Sequence, residues 1–421
     1  MDKSLLKKAA VQSVAMMVAV VASSFALQQY QMVAISASNI DNNVKNIESS
    51  VQQEGQDSAS SDQEGTVINH MSTANSLEEL RTQVSEDIFN ELGDNYLVIK
   101  KPEGLDGKNK IQLDDLYVTK SIRLNLAGLS DINLKDDMFL RVRGREFFRG
   151  TPVYAETVTQ EVDEVDNSVK EVITRDYGTD LCHKITITSQ PDGNTGLYSL
   201  QILLELDSVY AYFIYEDDEY YFIDLRKPSD VYDKILVIDP GHGGKDAGAL
   251  SRDQKDYEKN INLAIALELK KLLDRENIKV YYTRTDDDKV FLRPRVTLAN
   301  AVDCDYFISI HCNSNKVSSP NGTEILYYNR EPKGVSNLAL ANIFSEELGK
   351  LITLRNRGVV EMRNDDIFIM NNSEVPTVLI EVGYMSNIHD LAYLNNPDSR
   401  AIIAQGIYNG IMRAFNELPV Q

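Results

Sequence analysis

The sequence predicts a carboxy-terminal α/β domain whose mostly parallel sheet is flanked by helices, preceded by a β-rich, sandwich-like domain and an amino-terminal membrane or export helix. Apolar strand-like runs alternate with helical patterns in the last part of the chain, two-residue periodicity dominates the middle, and a lysine-rich start leads into an apolar run. The predicted boundaries are residues 1–39 for the signal or anchor segment, 40–75 for a disordered acidic tether, 76–229 for a helix plus the β-rich domain, and 234–418 for the α/β domain.

Composition and charge exclude several classes of protein. Of the 421 residues, 43 are Lys or Arg and 64 are Asp or Glu, so the formal net charge is −21. A field of this sign repels nucleic acid, and we predict no nucleic-acid partner. The three cysteines, Cys182, Cys304 and Cys312, are too few for a disulfide framework in a chain of this size, so its stability must come from apolar cores.

The amino terminus has the pattern of an export signal. Lys3, Lys7 and Lys8 precede an apolar run over residues 9–27, and a basic segment before such a run directs the following chain across a membrane. Small residues on both sides of Phe25 suit cleavage, whereas the run is nearly long enough to span a bilayer. A cleaved signal and an uncleaved membrane anchor both remain open, and either places the following domains outside the cytoplasm.

The segment after this run is predicted to be a tether. Residues 41–65 are polar, acidic and free of aromatic side chains, so they cannot bury enough apolar surface to become ordered. Apolar residues then recur at three- or four-residue spacing between Ser76, which can cap a helix, and Gly93, which can end one. This spacing predicts a helix over residues 76–92.

Two-residue alternation characterises the middle of the chain, from about residue 95 to residue 226. Residues 122–126 alternate between apolar and polar side chains, and the apolar runs 209–215 and 220–225 flank a short acidic tip, which predicts a hairpin. Short strands between turns favour a sandwich. No catalytic cluster is evident here, and His183 has no second ligand at metal-site spacing, so we predict a structural role for it.

The pattern changes again after residue 234. From here apolar strand-like runs alternate with helical patterns. This alternation predicts an α/β layer, in which ligands bind at the carboxyl ends of the strands. The predicted strands are residues 235–238, 280–283, 306–310, 323–328 and 377–380, and the predicted helices are residues 258–275, 292–302, 335–350 and 399–416.

Three residues at these strand ends have the chemistry of metal ligands. His242 follows the first strand in a glycine-rich turn, His311 follows the third, and Glu258 opens a predicted helix whose start faces the same edge. Three protein ligands leave a fourth position open, as in a catalytic rather than a structural Zn²⁺ site. The alternative for Glu258 alone is a helix-dipole interaction in a first turn.

Glu381 ends the last predicted strand and would lie at the same edge. A zinc hydrolase needs a positioned carboxylate that accepts a proton from water and returns it to the leaving nitrogen. We therefore predict Glu381 as the general base. Asp239, beside the His242 turn, is predicted to orient that turn or a ligand.

These segments together resemble the zinc-dependent N-acetylmuramoyl-L-alanine amidases of the amidase_3 family, over residues 235–415. By this resemblance His242, Glu258 and His311 match the zinc ligands and Glu381 matches the catalytic glutamate. The motifs that carry it are VIDPGHGGKDAGAL (237–250), EKNINLAIALELKKLL (258–273), TRTDDDKVFLRPRVTLAN (283–300), DYFISIHCNSN (305–315), NGTEILYY (321–328), NRGV (356–359) and VPTVLIEVGYMSN (375–387).

The resemblance implies the substrate and the reaction. The family cleaves the amide bond between N-acetylmuramic acid and the L-alanine of the stem peptide, so peptidoglycan is the expected partner and the cell wall the expected location. Asn262 and Arg295 also occupy motif positions, where packing is the expected role. Cys312 stands where relatives usually have alanine, and a buried inert thiol is expected there.

Two further expectations concern regulation and the middle domain. The stretch from Tyr328 to Asn356 has room for one helix, without the extra helix that blocks the zinc in some relatives. The middle domain loosely resembles AMIN-type modules, most closely over residues 210–228, which implies docking to a divisome or wall protein, with a plain spacer as the alternative. For the whole chain, the alternatives are a catalytically silent wall-binding protein and a zinc amidase or peptidase that acts on another amide.

Overall fold

A computed structural model shows two antiparallel sheets followed by an α/β layer. The change from antiparallel to α/β structure falls between Arg226 and Ile235, close to the predicted boundary. The structure describes residues 68–71, 86–93, 95–100, 112–129, 139–143, 153–162, 169–176, 178, 181–191, 196–218, 220–363 and 367–419.

The first part of the described chain consists of short strands, one short α-helix, α1 (Glu86–Glu91), and a 3₁₀ turn over Tyr117–Thr119. The strands form a seven-stranded sheet in the order β1-β6-β7-β8-β9-β4-β3 and a four-stranded sheet in the order β10-β11-β2-β5. They are β1 (Ile68–Met71), β2 (Asn95–Lys100), β3 (Gln112–Leu116), β4 (Ser121–Leu129), β5 (Phe139–Arg143), β6 (Val153–Val162), β7 (Val169–Asp176), β8 (Cys182–Pro191), β9 (Tyr198–Leu206), β10 (Ala211–Glu216) and β11 (Tyr220–Arg226).

One apolar core joins these two sheets. Alternate residues of β8 and β9 are buried, as two-residue periodicity requires when one face of a sheet is covered. Leu124 and Ile202 of the larger sheet lie in the same core as Leu97 and Ile223 of the smaller one. The two sheets therefore pack face to face like a sandwich. The predicted hairpin is confirmed, since β10 and β11 pair antiparallel.

The structure corrects the predicted tether at its end. Residues 40–75 were predicted to be disordered, but Ile68–Met71 form β1, which pairs antiparallel with β6. The unpaired edge of β6 offers backbone hydrogen bonds that an isolated polar segment lacks. The tether before residue 68 and most of the predicted helix 76–92 lie outside the described residues, which include its last turn as α1.

The amino-terminal signal or anchor segment also lies outside the described residues. Among the helices that the structure does describe, none combines the length and the apolar character needed to cross a bilayer.

The carboxy-terminal part alternates strands and helices, as predicted. Residues 356–361, 368–372 and 388–395 form elements that the hydrophobic pattern did not predict. The strands are β12 (Ile235–Pro240), β13 (Lys279–Tyr282), β14 (Tyr306–Asn313), β15 (Thr323–Tyr327), β16 (Asn356–Glu361) and β17 (Thr377–Tyr384), and the helices are α2 (Glu258–Leu273), α3 (Leu292–Ala301), α4 (Asn337–Leu351), α5 (Phe368–Asn372), α6 (Ile388–Asn395) and α7 (Pro397–Glu417).

The six strands form one mixed sheet in the order β13-β12-β14-β17-β15-β16. Four neighbouring pairs are parallel, but β15 runs antiparallel to β17, so the predicted mostly parallel arrangement needs this correction. Only residues 314–322 connect β14 to β15, without a helix. Because a parallel return needs a crossover of a dozen or more residues, the chain reverses direction here.

Helices cover the sheet with apolar stripes, and a glycine lets two of them approach closely. Ile261, Ile265 and Leu269 form the buried stripe of α2, and α4 begins at a Ser336 cap. A methyl group added at Gly410 of α7 would lie 2.6 Å from the Phe344 ring of α4, so this glycine permits the close approach of the two helices. As expected, α4 is the one α-helix between β15 and β16.

Tyrosine side chains join the sandwich to the free edge of the α/β sheet. The Tyr117 hydroxyl donates to the carbonyl oxygen of Tyr282 at 3.0 Å and accepts from its backbone N–H at 3.2 Å. Its ring contacts Tyr281 edge to face, with centroids 5.0 Å apart. Tyr117 thus pairs backbone groups of the edge strand β13, whose neighbour β12 leads to His242.

We expect the Asp115→Asn variant to be more stable than the wild type at pH 8. Burial at this junction raises the pKa of Asp115 to about 6, although Lys279 lowers it. The carboxyl group therefore favours folding fully below its ordinary pKa of 3.8, and this contribution is lost as the pH rises through about 6. The variant should gain on the order of 2 kcal/mol at pH 8 and almost nothing at pH 4, as measured by chemical unfolding.

Asp114→Asn serves as the control for this experiment. Asp114 accepts hydrogen bonds from Arg123 and Asn125, so its neutralisation should lower stability at pH 8. If Asp115→Asn changes the free energy of unfolding by the same amount at pH 4 and pH 8, or no differently from Asp114→Asn at pH 8, the assigned cost of the Asp115 carboxylate is contradicted.

Candidate metal centre

Three parallel strands end at one edge of the α/β sheet. Ile238 of β12 pairs with Ile308 of β14, and His311 near the end of β14 pairs with Glu381 of β17. Because the strands are parallel and in register, their carboxyl ends deliver His242, His311 and Glu381 to the same place. The helix α2 begins at Glu258 beside them.

The structure brings together the three predicted ligands. Nε2 of His242 lies 3.2 Å from Oε2 of Glu258, and Nδ1 of His311 lies 2.9 Å from Oε1 of Glu258. One ligand atom from each residue falls within 4.8 Å of the other two. A tetrahedral Zn²⁺ with bonds of about 2.0–2.1 Å separates its ligand atoms by about 3.3 Å. The donor set and its spacing therefore fit Zn²⁺.

Charge attraction holds this cluster together. Burial disfavours the charged form of Glu258, but hydrogen bonds from His242 and His311 hold the pKa of that carboxyl well below its usual range. Burial likewise lowers the pKa of His242, but the Glu258 and Asp246 carboxylates raise it to about 9. The site therefore favours positive charge beside Glu258, as a cation-binding site requires.

The backbone and Asn262 fix the Glu258 carboxylate. Its Oε2 accepts from the Ala249 N–H at 2.7 Å, and its Oε1 accepts from the Cys312 N–H at 3.0 Å and from Nδ2 of Asn262 at 3.2 Å. The Cys312 thiol lies 3.4 Å from Oδ1 of Asn262 and is buried, and burial raises its pKa. Cys312 is thus an unreactive packing residue, and Asn262 orients a ligand.

Sequence reasoning missed Asp246, which orients His242. Its Oδ2 lies 2.9 Å from Nδ1 of His242, the ring nitrogen on the far side from Glu258. Its Oδ1 accepts from the Gly248 N–H at 3.2 Å. A carboxylate on the second nitrogen of a metal-binding histidine fixes the ring and increases its basicity. The four-residue spacing after His242 was the available signal.

Arg295 stabilises the turn that carries His242. Arg295 is 2% exposed, and its guanidinium binds Oδ1 of Asp239 at 2.5 Å and the carbonyl oxygens of Pro240 and His242 at 2.9 and 2.8 Å. Burial opposes the charge on Asp239, but Arg295 and a hydrogen bond from Thr283 lower its pKa. Asp239 therefore holds Arg295 in place and is not a metal ligand.

Arg284 supports the same turn from a second direction, and sequence reasoning missed it. It donates to the carbonyl oxygens of Pro240, Gly241 and Lys259, each at 2.9 Å. Burial lowers its pKa to about 10, and so does Arg295. These contacts matter because His242 has a φ of 61°, a conformation that costs free energy outside glycine.

Glu381 has an unused oxygen at this edge. Its Oε2 is buried and has no hydrogen-bond partner among the described residues. Burial raises the pKa of Glu381 to about 7, although His311 lowers it. An orphaned buried oxygen costs free energy unless a ligand or water pairs with it. Glu381 can thus exchange a proton with a molecule that enters the site.

Several other polar residues lie away from this cluster. His183 is in β8 and His389 in α6, and neither belongs to the metal cluster found among the described residues. Asn371 accepts hydrogen bonds from Arg330 at the opposite edge of the sheet, since Arg330 follows the end of the antiparallel strand β15.

Comparison with known proteins gives consistent matches to the α/β part. Residues 236–413 match the family described as N-acetylmuramoyl-L-alanine amidase. The chain is 35% identical over 184 residues to the uncharacterized protein YqiI of Bacillus subtilis. This match covers 44% of this chain and 86% of YqiI. It is also 35% identical over 184 residues to the probable cell wall amidase LytH of Staphylococcus epidermidis. That match covers 44% of this chain and 59% of LytH.

Solved structures match the same part. The catalytic domain of CwlV, an N-acetylmuramoyl-L-alanine amidase from Bacillus (Paenibacillus) polymyxa var. colistinus, is 36% identical, with a TM-score of 0.41, and the match covers 44% of this chain and 98% of that domain. An N-acetylmuramoyl-L-alanine amidase from Clostridium difficile is 31% identical, with a TM-score of 0.42 and the same two shares.

Replacement of Asp246 by Asn should raise the dissociation constant of this candidate site for a metal probe about 10- to 100-fold, because the His242 ring loses its charged acceptor. Competition with a fluorescent chelator measures this dissociation constant. Asp253→Asn is the matched control, since its side chain is 56% exposed, compared with 54% for Asp246, and it contacts neither histidine. An equal loss of affinity in both variants would contradict the role of Asp246.

Proposed function

Because the chain belongs, through residues 236–413, to the N-acetylmuramoyl-L-alanine amidase family, we propose that it is a peptidoglycan hydrolase. It cleaves the amide bond between N-acetylmuramic acid and the L-alanine of the stem peptide. One observation carries the proposal: a three-residue metal cluster and an unpaired buried carboxylate oxygen of Glu381 lie at the same sheet edge.

Zn²⁺ is the proposed metal, and His242, Glu258 and His311 would hold it. Two imidazoles and one carboxylate are ligands that Zn²⁺ prefers in catalytic sites, where a fourth position stays open. When bound, Zn²⁺ supplies a Lewis acid that polarises the scissile carbonyl and makes water a stronger nucleophile at neutral pH.

The protein itself supplies proton transfer and orientation. Glu381 accepts the proton of the attacking water at its free oxygen and returns it to the nitrogen of L-alanine as the amide bond breaks. A pKa of about 7 suits both steps, since the carboxyl group then exchanges its proton readily near neutral pH. Asp246 and Asn262 keep His242 and Glu258 in place during this cycle.

The proposed reaction takes place outside the cytoplasm. Relatives in Staphylococcus are named probable cell wall amidases, and the proposed substrate is a polymer of the cell envelope. Anchoring or secretion through residues 1–39 stays a prediction, and so does docking of the sandwich to a divisome or wall protein.

Glu381→Gln should lose about 10²- to 10⁴-fold in kcat and keep its Zn²⁺, because the amide cannot accept the proton. His242→Ala should instead lose the metal. Glu361→Gln is a control with the same chemical change at the far end of β16 and should keep wild-type activity. Dye release from labelled sacculi and elemental analysis give the two readouts. A fully active Glu381→Gln protein would contradict the assigned base.

Mass spectrometry of the products tests the proposed bond specificity. The purified full-length protein should release stem peptides that begin with L-alanine from intact peptidoglycan, and a chelator should abolish this release until Zn²⁺ is restored. Binding without release would support a silent wall-binding protein. Cleavage at another amide would identify an enzyme of different specificity.

A further inference from the structure

Arg357 lies at the sheet edge that carries the metal cluster. The strand β16 runs parallel to β15, and its first residue, Asn356, pairs with Thr323. The strand β15 runs antiparallel to β17, and Glu324 is the register partner of Glu381. The start of β16 therefore lies at the same sheet edge as the end of β17, and β15 separates it from the strand of the proposed general base.

A buried carboxylate fixes the guanidinium of Arg357. Its Nε donates to Oε1 of Glu324, whose side chain is 11% exposed. The Tyr384 hydroxyl donates to the same oxygen at 3.0 Å, and the guanidinium carbon lies 5.7 Å from the centre of the Tyr384 ring. These contacts orient the planar group, while 33% of the Arg357 side chain stays exposed.

The outer half of this guanidinium is free to bind a ligand. Neither Nη group of Arg357 donates a hydrogen bond to any residue in the part of the chain that the structure describes. Arg284 and Arg295, by contrast, use their Nη groups on buried carbonyl oxygens. A pre-oriented fork of N–H donors is suited to bidentate binding of a carboxylate.

We propose that Arg357 binds a carboxylate of the stem peptide and selects for an acidic residue directly after L-alanine. This inference rests on the proposed amidase function. Glu381 protonates the leaving nitrogen, so the departing peptide lies on the Glu381 side of the scissile bond. Two strand spacings of about 4.8 Å separate the strands of Glu381 and Arg357 by about 10 Å.

This separation places Arg357 within reach of the first residues of an extended stem peptide. An extended peptide advances about 3.3–3.6 Å per residue. The Arg357 side chain leans towards β15, the strand between Arg357 and Glu381, because its Nε donates to Glu324. The α-carboxylate of D-isoglutamate, which follows L-alanine in the stem peptide, is therefore the proposed ligand.

The experiment compares two soluble muropeptides that differ in this one group. MurNAc-L-Ala-D-isoGlu-L-Lys has the free carboxylate, and MurNAc-L-Ala-D-isoGln-L-Lys has a carboxamide in its place. The Zn²⁺-loaded full-length wild type should prefer the acid about tenfold in kcat/KM, mainly through KM. Arg357→Gln should reduce this ratio to about one, because the charged fork that distinguishes the carboxylate from the carboxamide is lost.

Arg363→Gln is the matched control. Arg363 follows the other end of β16, at the opposite sheet edge, and its side chain is 77% exposed. This variant has the same loss of charge on the same segment and should keep the wild-type preference. Arg357→Lys keeps the charge without the fork and should lose most of the preference, so it tests the inference even if Arg357→Gln does not fold.

The outcomes separate the inference from the function on which it rests. Equal kcat/KM of the wild type for both muropeptides, or an unchanged preference in a folded Arg357 variant, overturns the role of Arg357 and leaves the amidase function intact. If the wild type cleaves neither muropeptide nor intact peptidoglycan, the amidase function is overturned and the inference with it.

Discussion

The candidate metal site depends on two buried guanidinium groups that hold the turn after β12. Arg284 and Arg295 bind the carbonyl oxygens of residues 240–242, which leave the sheet at that point. The hydrogen bonds to the Pro240 and Gly241 oxygens are buried, so loss of the arginines would leave these oxygens with fewer donors, at a cost in free energy. The contacts offset the strain of the left-handed backbone at His242, and they direct its imidazole to Glu258.

The direction of the strands then determines which side chains meet at this edge. Parallel β12, β14 and β17 bring the two histidines and Glu381 together, and the reversed strand β15 adds Glu324 beside them. Glu324 in turn orients Arg357, which lies on the edge strand β16. A sheet with β15 parallel to β17 would place these two residues at the opposite edge, so the short connection after β14 shapes the site as much as any of its residues.

Local patterns in the sequence predicted the parts of the site that are local in nature. The glycine-rich turn at His242, the apolar strand before His311 and the helix that starts at Glu258 were all predicted from neighbouring residues, and the structure confirms that His242, Glu258 and His311 converge. Asp246 and Arg284 were missed because a carboxylate and an arginine in polar loops have no periodic pattern. Their roles follow from contacts with His242 and with carbonyl oxygens 43 and 44 residues away in the chain.

The sequence by itself determined most strands and helices of the α/β part, the acidic character of the chain and the candidates for the three metal ligands and the general base, since periodicity and residue chemistry are local properties. Only the tertiary structure decided the reversal of β15, the junction through Tyr117 and the orientation of Arg357. These features depend on strand register and on hydrogen bonds between distant residues, whose free energy arises only when the sheet brings their partners together.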